Sequence, residues 1–338
     1  MNKDILTIAV PFRLSLEDLN TCLQSIEKQF ENPKIMESIE VLVSCNSMDK
    51  DVCKDFDLLM GEKFASFIFL HTPSGLSYDN HLRWMVHNSS GEYIKFLAED
   101  DKLIGSFFAS FLESIKMEPE PLSVVNCFSI FKSGQEEVGV PRFSWTSSSM
   151  EKRLKTISII NILNEAYGQI SALAFKRSFL LRNLAEDLED SNYLHVFWFL
   201  QALSYQEVSV ISEVYILVKE GSPNFSRNIV QEIKTPIGAL FAIHFSRNLS
   251  WQVKQSLLFR QSRYLLYTLT AITRCSKSEL HEIRKIYFRA FLDFPVQLFP
   301  QMALVLLPQR FFGLFASLTW ASSFRQKFVL FMLRDINK

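Results

Sequence analysis

The stretch Tyr93–Leu103, YIKFLAEDDKL, combines a short apolar run with three consecutive acidic residues, Glu99, Asp100 and Asp101. The apolar run is typical of a buried strand, and open α/β sheets bind their ligands at the carboxyl ends of strands. Hard divalent cations such as Mg²⁺ and Mn²⁺ take oxygen ligands and bridge carboxylates to phosphate groups. The stretch therefore predicts either a metal–diphosphate site or a solvated acidic turn before a helix that starts near Gly105.

The segments around this stretch alternate between strand-like and helix-like patterns over the first 130 residues. Short apolar runs predict strands at Ile5–Val10, which Pro11 should end, and at Ile39–Ser44, Phe67–His71, Tyr93–Leu97 and Ser123–Ile130. Apolar residues at helical spacing predict helices at Ser15–Phe30, with Ser15 as the cap, and at Ser77–Asn88 and Gly105–Lys116. This alternation indicates βαβ units and a mostly parallel sheet. Because the strands are almost continuously apolar, both faces of the sheet should be covered.

Composition and charge exclude several classes of protein. The chain has 338 residues, 48% of them hydrophobic, and a net charge of zero, which gives no indication of nucleic-acid binding. The five cysteines are an odd number without CxxC spacing, which argues against a disulfide framework or a structural zinc site and suits a reducing compartment. The amino terminus, MNKDILTIAV, enters a strand-like run without a signal peptide. Since no segment is apolar for long enough to span a membrane, we expect a cytoplasmic protein.

The carboxyl-terminal region differs from the rest of the chain in charge and composition. From Leu249 onward there are 13 basic and 4 acidic residues, an excess of nine positive charges. Residues 250–292 have a helical pattern, and Phe294–Arg334 mixes Phe, Leu and Trp with basic residues and three prolines. This pattern predicts amphipathic helices on the inner face of the plasma membrane, where anionic headgroups attract basic residues. The alternative is packing on the amino-terminal α/β domain or in a homo-oligomer interface.

Four segments resemble, in the expected order, the family-two glycosyltransferases with the GT-A fold. They are LTIAVPFR (Leu6–Arg13), LNTCLQSIEKQ (Leu19–Gln29), IEVLVSCNSMDKD (Ile39–Asp51) and GLSYDNHLRWMVHNSSGEYIKFLAEDD (Gly75–Asp101). Within that family the chain is similar to the abequosyltransferase-like group of surface-polysaccharide enzymes. The resemblance covers residues 1–130 well and residues 165–220 loosely. It implies a GT-A-like, Rossmann-like catalytic domain at residues 1–220 and a helical region at residues 221–338.

The resemblance also implies an activity, the transfer of a hexosyl or deoxyhexosyl group from a nucleotide-sugar to a glycan or a lipid-linked oligosaccharide. The reaction would be assisted by Mg²⁺ or Mn²⁺ and would invert the configuration of the sugar. Asp101 would bind the metal, Asp100 would face the ribose or a metal-bound water, and Glu99 would support them. A divalent metal suits this reaction because it stabilises the diphosphate that leaves.

The donor nucleotide would contact the turn at Pro11 and Arg13, and the helix that precedes the acidic strand. On that helix, Asn80 and Arg83 match the family's Asn and its basic residue. The charge of Arg83 would lie near the diphosphate. The alternative for Arg83 is a solvent-facing arginine on a helix surface.

The nucleotide loop departs from the family pattern at Cys45. The family usually has an aspartate there, which accepts a hydrogen bond from the base, and a thiol is a poor acceptor beside a carboxylate. Base recognition would pass to Asn46, to Asp49 or to the backbone, which leaves the nucleotide open. The alternative for Cys45 is a small buried hydrophobic residue.

The segment Gly168–Ser171, GQIS, resembles the family's acceptor site, and an acidic run follows it. Asp190 is the first candidate for the general base because it precedes a helix that begins near Tyr193, and Glu189 and Asp187 come after it. The alternative is that these acids favour the amino end of the helix electrostatically. His195 is a further candidate base, although a packed histidine is more typical on such an aromatic helix.

Two other functions fit parts of the sequence. A glycosyltransferase-like protein that binds without catalysis is suggested by Cys45 and by the indistinct base region. A nucleotidyltransferase would use a similar sheet and acidic metal site. That class usually has a glycine-rich phosphate loop after the first strand, and the segment PFRLS contains no glycine.

Overall fold

The computed structural model describes residues 5–30, 33–73, 75–117, 122–133, 136–141, 169–186, 188, 191–203, 209–219, 229–246, 249–255, 257–258, 261, 276–294 and 298. The chain divides into two compact units, Met1–Ser222 with Phe241–Val253, and Pro223–Leu240 with Lys254–Lys338. The residues of the candidate site lie in the first unit. A catalytic domain that ends at residue 220 stays a prediction.

Every strand and helix predicted in the first 130 residues is present, with ends that differ by a few residues. The strands are β1 (Leu6–Phe12), β2 (Ile39–Cys45), β3 (Ile68–His71), β4 (Tyr93–Phe96), β5 (Lys102–Leu103), β6 (Leu122–Ser133), β7 (Glu136–Pro141), β8 (Leu173–Lys176) and β9 (Ser209–Lys219). The helices are α1 (Leu16–Glu27), α2 (Pro33–Met36), α3 (Lys50–Lys63), α4 (Tyr78–Asn88), α5 (Phe107–Met117), α6 (Arg177–Arg182), α7 (Leu194–Leu203), α8 (Ile229–Phe245) and α9 (Lys277–Asp293). The sequence patterns did not predict α3.

The strands form one sheet in the order β3-β2-β1-β4-β8-β6-β9-β5, with β7 paired to β6. The strands β3, β2, β1 and β4 are all parallel. This confirms the predicted α/β fold with a mainly parallel central sheet and flanking helices. Beyond β4 the pattern is mixed, because β8 runs antiparallel to both β4 and β6. The carboxyl ends of β1, β2 and β4 therefore meet at one edge of the sheet.

The core of the first unit follows the predicted periodicities. All seven residues of β2 are buried, as expected for a strand that is covered on both faces. Helix α1 buries Leu19, Leu23 and Ile26 on one face, and its amino end is capped by Ser15. Each such apolar side chain contributes about 1.5–3 kcal/mol when it is fully buried. The edge strand β3 is the exception among the parallel strands, since Phe69 remains 37% exposed.

Pro11 does not end the first strand, in contrast to the expectation from the sequence. Strand β1 continues to Phe12, and Pro11 is paired in register with Ser44 of β2. On the other side, the ladder between β1 and β4 ends at Ala9. Pro11 therefore has a partner strand on one side only, an edge-like position where a residue without an N–H group is tolerated.

Gly91 lies in the turn before β4, at the amino end of the parallel strands. Its N–H donates to Thr7 Oγ1 at 2.9 Å. A Cβ atom at Gly91 would lie 2.5 Å from the backbone nitrogen of Thr7 and 2.8 Å from the carbonyl carbon of Leu6. Because two of these neighbours are backbone atoms of the central strand, this turn requires glycine.

The carboxyl-terminal predictions fall mostly outside the described residues. Within the described part of residues 250–292, α9 is helical and begins with a capping box formed by Ser276 and Glu279. The segment Phe294–Arg334 lies outside the described residues except at positions 294 and 298. Among the helices that are described, none combines the length and the hydropathy needed to span a bilayer.

Candidate active site

The acidic cluster follows β4, at the edge where the carboxyl ends of β1, β2 and β4 meet. The carboxylate of Glu99 accepts a hydrogen bond from the backbone N–H of Arg13 at 2.6 Å. Glu99 therefore fixes the turn that follows β1. Burial raises the pKa of Glu99 to about 7, although the hydrogen bonds from Arg13 and Leu14 act in the opposite direction.

Asp101 is the most deeply buried of the three acids, with 3% of its surface exposed. Its Oδ1 accepts a hydrogen bond from the backbone N–H of Lys219 at 3.1 Å, and Ser171 donates a second hydrogen bond to its carboxylate. Burial and then the neighbouring charge of Asp100 raise the pKa of Asp101 to about 7. Ser171 comes from the segment that was predicted to lie at the acceptor site.

A buried lysine lies close to this cluster. Lys95 is fully buried in β4, and its ammonium group donates to the carbonyl oxygens of Ser171 and Phe96. Its charge lowers the pKa of Asp101, but less than burial and Asp100 raise it. The sequence analysis treated Lys95 as part of an apolar run. A lysine in the middle of a buried strand is nevertheless a signal, because an unpaired charge is costly there.

The donor atoms of this cluster suit a hard divalent cation. Asp100 and Asp101 supply carboxylate oxygens, the ligands that Mg²⁺ and Mn²⁺ prefer. Burial and the neighbouring Asp100 disfavour the charged form of Asp101, and a bound cation would offset this cost. Binding of the metal by Asp101, and contact of Asp100 with ribose or water, stay predictions.

Arg13 begins the turn after β1 and is exposed at the same edge. The charge of Arg13 acts on His81 of α4. His81 is buried, and its Nε2 lies 2.8 Å from Ser44 Oγ. Burial, and to a smaller extent the charge of Arg13, lowers the pKa of His81 to about 4. The edge therefore carries the positive charge of Arg13, and the nearby His81 is neutral at pH 7. Contact of Pro11 and Arg13 with the nucleotide stays a prediction.

The predicted base-binding residues have clear structural partners. Asn46 Oδ1 accepts hydrogen bonds from Thr72 Oγ1 at 2.8 Å and from the Leu76 N–H at 3.1 Å. Its Nδ2 donates to the Leu76 carbonyl at 2.9 Å. Asn46 thus holds the segment before α4 against the end of β2, and its side chain is engaged at both ends. Asp49 caps α3 by accepting from the Asp51 N–H at 2.9 Å. Their contact with a base stays a prediction.

Cys45 ends β2 and is 2% exposed, which agrees with the interpretation as a small buried residue. Burial raises the pKa of its thiol to about 12. Its Sγ lies 3.8 Å from the Sγ of Cys53 on α3. Cys45 therefore lies in the interior of the predicted nucleotide loop, and its thiol faces α3.

Arg83 is buried, so the alternative of a solvent-facing arginine is wrong. Its guanidinium donates to the carbonyls of Leu184 at 2.7 Å, of Leu188 at 3.1 Å and of Ala185. It also donates to Asn80 Oδ1 at 2.6 Å. Arg83 and Asn80 together hold the segment that follows α6. The predicted proximity of Arg83 and Asn80 to the diphosphate stays a prediction.

Asp79, one turn before Arg83, was not identified from the sequence. Its Oδ2 accepts from the N–H and Oγ of Ser191 at 2.6 and 2.8 Å and from the Asn192 N–H at 3.0 Å. Its Oδ1 accepts from the Leu194 N–H at 3.1 Å. Asp79 therefore caps α7 from another helix. Burial raises its pKa, although these four hydrogen bonds act in the opposite direction. An acid in the first turn of a helix is so common that the sequence gave no specific signal.

Asp79 and Arg83 hold the chain on the two sides of the predicted general base. Asp187, Glu189 and Asp190 themselves lie outside the described residues. His195, the further candidate base, is 4% exposed and lies in α7. Its ring stacks on Tyr193 with the centroids 5.5 Å apart, which agrees with a packed histidine. The structure thus describes the residues that hold this segment in place, but not the carboxylates of the candidate general bases.

The comparisons with known proteins agree with this fold. No family model and no curated protein sequence matches the chain. Among solved structures, S. aureus TarS has a TM-score of 0.61 at 13% identity, covering 89% of this chain and 52% of TarS. S. aureus TarS 1–349 in complex with UDP-GlcNAc has a TM-score of 0.56 at 12% identity, covering 85% and 80%. Mannosyltransferase PcManGT from Pyrobaculum calidifontis, in complex with GDP-Man and Mn²⁺, has a TM-score of 0.51 at 12% identity, covering 95% and 91%.

At these identities the likeness establishes the fold, which the chain shares with structures of glycosyltransferases. The chain spans about half, 52%, of the length of TarS, the first of these structures.

Proposed function

We propose that the chain is a glycosyltransferase that moves a sugar from a nucleotide-sugar to a glycan or a lipid-linked oligosaccharide. The proposal depends mainly on one observation, the buried Asp101 beside Asp100 and Lys95 at the edge where β1, β2 and β4 end. Ligands bind at this edge in open α/β sheets. The fold supports the proposal, because similar structures were solved with UDP-GlcNAc and with GDP-Man and Mn²⁺.

Each residue of the site then has a chemical role. Asp101 and Asp100 would hold Mg²⁺ or Mn²⁺, which as a Lewis acid would stabilise the charge of the diphosphate leaving group. Glu99 fixes the turn that carries Arg13, so that this positive charge faces the same edge. Asp190, and Glu189 after it, would accept the proton of the acceptor hydroxyl in an inverting reaction.

The finer assignments belong to the same proposal. They are the abequosyltransferase-like group, a hexosyl or deoxyhexosyl donor, and an acceptor that is polymeric or linked to lipid. The buried Cys45 and the engaged side chain of Asn46 favour recognition of the base through the backbone. If the carboxyl-terminal region lies on the inner face of the plasma membrane, a lipid-linked acceptor becomes the more suitable substrate.

Metal-dependent nucleotide binding tests the proposal directly. We expect UDP or GDP with Mn²⁺ to raise the melting temperature of the wild-type protein, since a ligand at 100 times its Kd stabilises by about 2.7 kcal/mol. Asp101→Asn should abolish this Mn²⁺-dependent shift while the protein remains folded. Asp55→Asn, an exposed acid on α3, is the matched control and should behave as the wild type does.

The outcome separates the proposal from its rivals. Equal Mn²⁺-dependent binding by Asp101→Asn and the wild type would remove Asp101 from the metal site. Binding without hydrolysis or transfer of any nucleotide-sugar in a donor panel would favour the non-catalytic binding protein. Release of diphosphate from a nucleoside triphosphate and a sugar phosphate would identify a nucleotidyltransferase.

A further inference from the structure

A second group of metal-ligating side chains, distinct from the acidic cluster, lies around the carboxyl ends of β2 and β3. The thiols of Cys45 and Cys53 and one ring nitrogen of His71 all lie within 4.8 Å of one another. Cys45 ends β2, Cys53 lies in the first turn of α3, and His71 ends β3. The sequence analysis predicted no structural zinc site, because the cysteines lack the CxxC spacing. The parallel pairing of β2 with β3 places Cys45 beside His71 although they are far apart in the sequence.

The separation of the two sulfurs fits a shared metal ion. Cys45 Sγ and Cys53 Sγ are 3.8 Å apart. A tetrahedral Zn²⁺ with Zn–S bonds of about 2.3 Å holds two sulfurs about 3.8 Å apart, whereas a disulfide would bring them to about 2.05 Å. A weak S–H···S contact has a similar length, so the distance alone does not identify a site.

The third donor and its partner distinguish a metal site from a contact between two thiols. His71 Nε2 lies 2.7 Å from Asp57 Oδ1, so in a metal site Nδ1 would be the nitrogen that binds the cation. A carboxylate on the far nitrogen of a metal-binding histidine is the usual arrangement, because it fixes the tautomer and orients the ring. The side chains of His71 and Asp57 are 42% and 51% exposed. A cation can therefore enter from solvent, and water can complete its coordination.

We propose that Cys45, Cys53 and His71 bind a thiolate-preferring divalent transition metal, with Zn²⁺ as the first choice and Asp57 as the residue that orients His71. Two sulfurs and an imidazole select such metals and not Mg²⁺ or Mn²⁺, which prefer oxygen ligands. The metal displaces one proton from each thiol, and these two protons pass to solvent. The bound ion links β2, α3 and β3 and so rigidifies the loop from Cys45 to Asp49. This inference does not depend on the proposed glycosyltransferase activity.

Cobalt binding tests the site without any assay of activity. The full chain, reduced and stripped with a chelator, is titrated with Co²⁺ alone. We expect one equivalent to produce thiolate-to-cobalt charge-transfer absorption and the visible bands of tetrahedral Co²⁺, and we expect Zn²⁺ to remove both. Cys53→Ser should abolish the signal, and Asp57→Asn should weaken binding about 10- to 100-fold. Cys22→Ala removes a thiol outside the group and should leave the titration unchanged.

Thermal unfolding and thiol alkylation complete the test. Zn²⁺ should raise the melting temperature of the wild type and protect two thiols from alkylation, but it should do neither in Cys53→Ser. If that variant does not fold, the exposed Asp57→Asn still gives a decisive result through its lowered affinity. An absence of Co²⁺ absorption in the reduced wild type, or full absorption in folded Cys53→Ser, would overturn the proposal. Two thiols that oxidise to a disulfide equally fast with and without Zn²⁺ would also overturn it.

Discussion

Replacement of Asp79 is expected to destabilise the first unit more than any substitution of an exposed acid. Its carboxylate accepts four hydrogen bonds, from the N–H and Oγ of Ser191 and the N–H groups of Asn192 and Leu194. Asp79→Ala leaves all four donors without this acceptor. Each buried donor left without an acceptor costs about 1–3 kcal/mol, so the total loss should be several kcal/mol.

Asp79→Asn removes the charge of the side chain but keeps its shape, so this variant separates the two effects on stability. An amide keeps one carbonyl oxygen, which can take the place of Oδ2 and accept from Ser191 and Asn192. Its NH₂ group then faces the Leu194 N–H, and two donors cannot bond to each other. We expect a cost of about 2 kcal/mol, since one hydrogen bond to a charged group is worth about 1.5–3 kcal/mol. The burial that raises the pKa of Asp79 reduces this loss, because the charged form is itself disfavoured.

Urea unfolding of the wild type and both variants measures these costs, with Asp55→Asn as the exposed control. Hydrogen exchange adds a local measurement. The amides of Asn192 and Leu194 should both exchange faster in Asp79→Ala, whereas only the Leu194 amide should exchange faster in Asp79→Asn. The expected order of destabilisation is Asp79→Ala, then Asp79→Asn, then the control near zero. A loss below about 1 kcal/mol in Asp79→Ala, or unchanged exchange at the two amides, would refute the role of Asp79 as the cap of α7.

Three other predictions concern pH, the turn before β4, and the carboxyl-terminal region. Because burial lowers the pKa of His81 from 6.5 to about 4, the unfolded state binds the proton more tightly, and the contribution of His81 to stability should fall by up to about 3 kcal/mol as the pH drops from 6.5 to 4. His81→Gln should lose this part of the pH dependence in urea unfolding, while an unchanged slope would contradict the assignment. Gly91→Ala should lower the free energy of unfolding by about 1–3 kcal/mol through overpacking. Gly61 in α3 has open space around it, so Gly61→Ala should raise the free energy of unfolding by about 0.5–1 kcal/mol. Equal effects of the two substitutions in thermal unfolding would disprove the backbone clash. The full chain should sediment with anionic vesicles and less so at high salt, and should not sediment when it ends at Phe294; no sedimentation of the full chain at low salt would remove the membrane proposal.

The sequence could predict those elements whose signals are local. Ser15 caps α1 as predicted, and the apolar runs mark the parallel strands. Helix α3 was missed because it buries little, mainly Phe56 and Met60, and so has a weak apolar stripe. The prediction that Pro11 ends β1 was wrong because a proline disrupts a strand only where a neighbouring strand requires an N–H donor at that position. Only the register with β4 shows that none is required at Pro11.

The site was less predictable because its contacts join distant residues. The acidic cluster was visible as a motif, but the engagement of Glu99 with Arg13 crosses 86 residues. Arg83 and Asp79 contact partners more than 100 residues away, so nothing in their local sequence distinguishes them from surface residues. Cys45, Cys53 and His71 meet only because two strands lie side by side, which a rule based on short cysteine spacing cannot detect.

The first unit is made of two separate stretches of the chain, and this affects the order in which it can form during synthesis. Residues 241–253 belong to this unit, yet residues 223–240 precede them and belong to the other. Phe245 lines a cavity together with Arg182, Leu188 and Phe197. A ribosome adding 5–20 residues per second needs about 2–6 s to pass from residue 222 to residue 253. During this interval the nascent unit lacks residues 241–253, so the cavity beside Arg182 and Phe197 is completed only after Phe245 has been added.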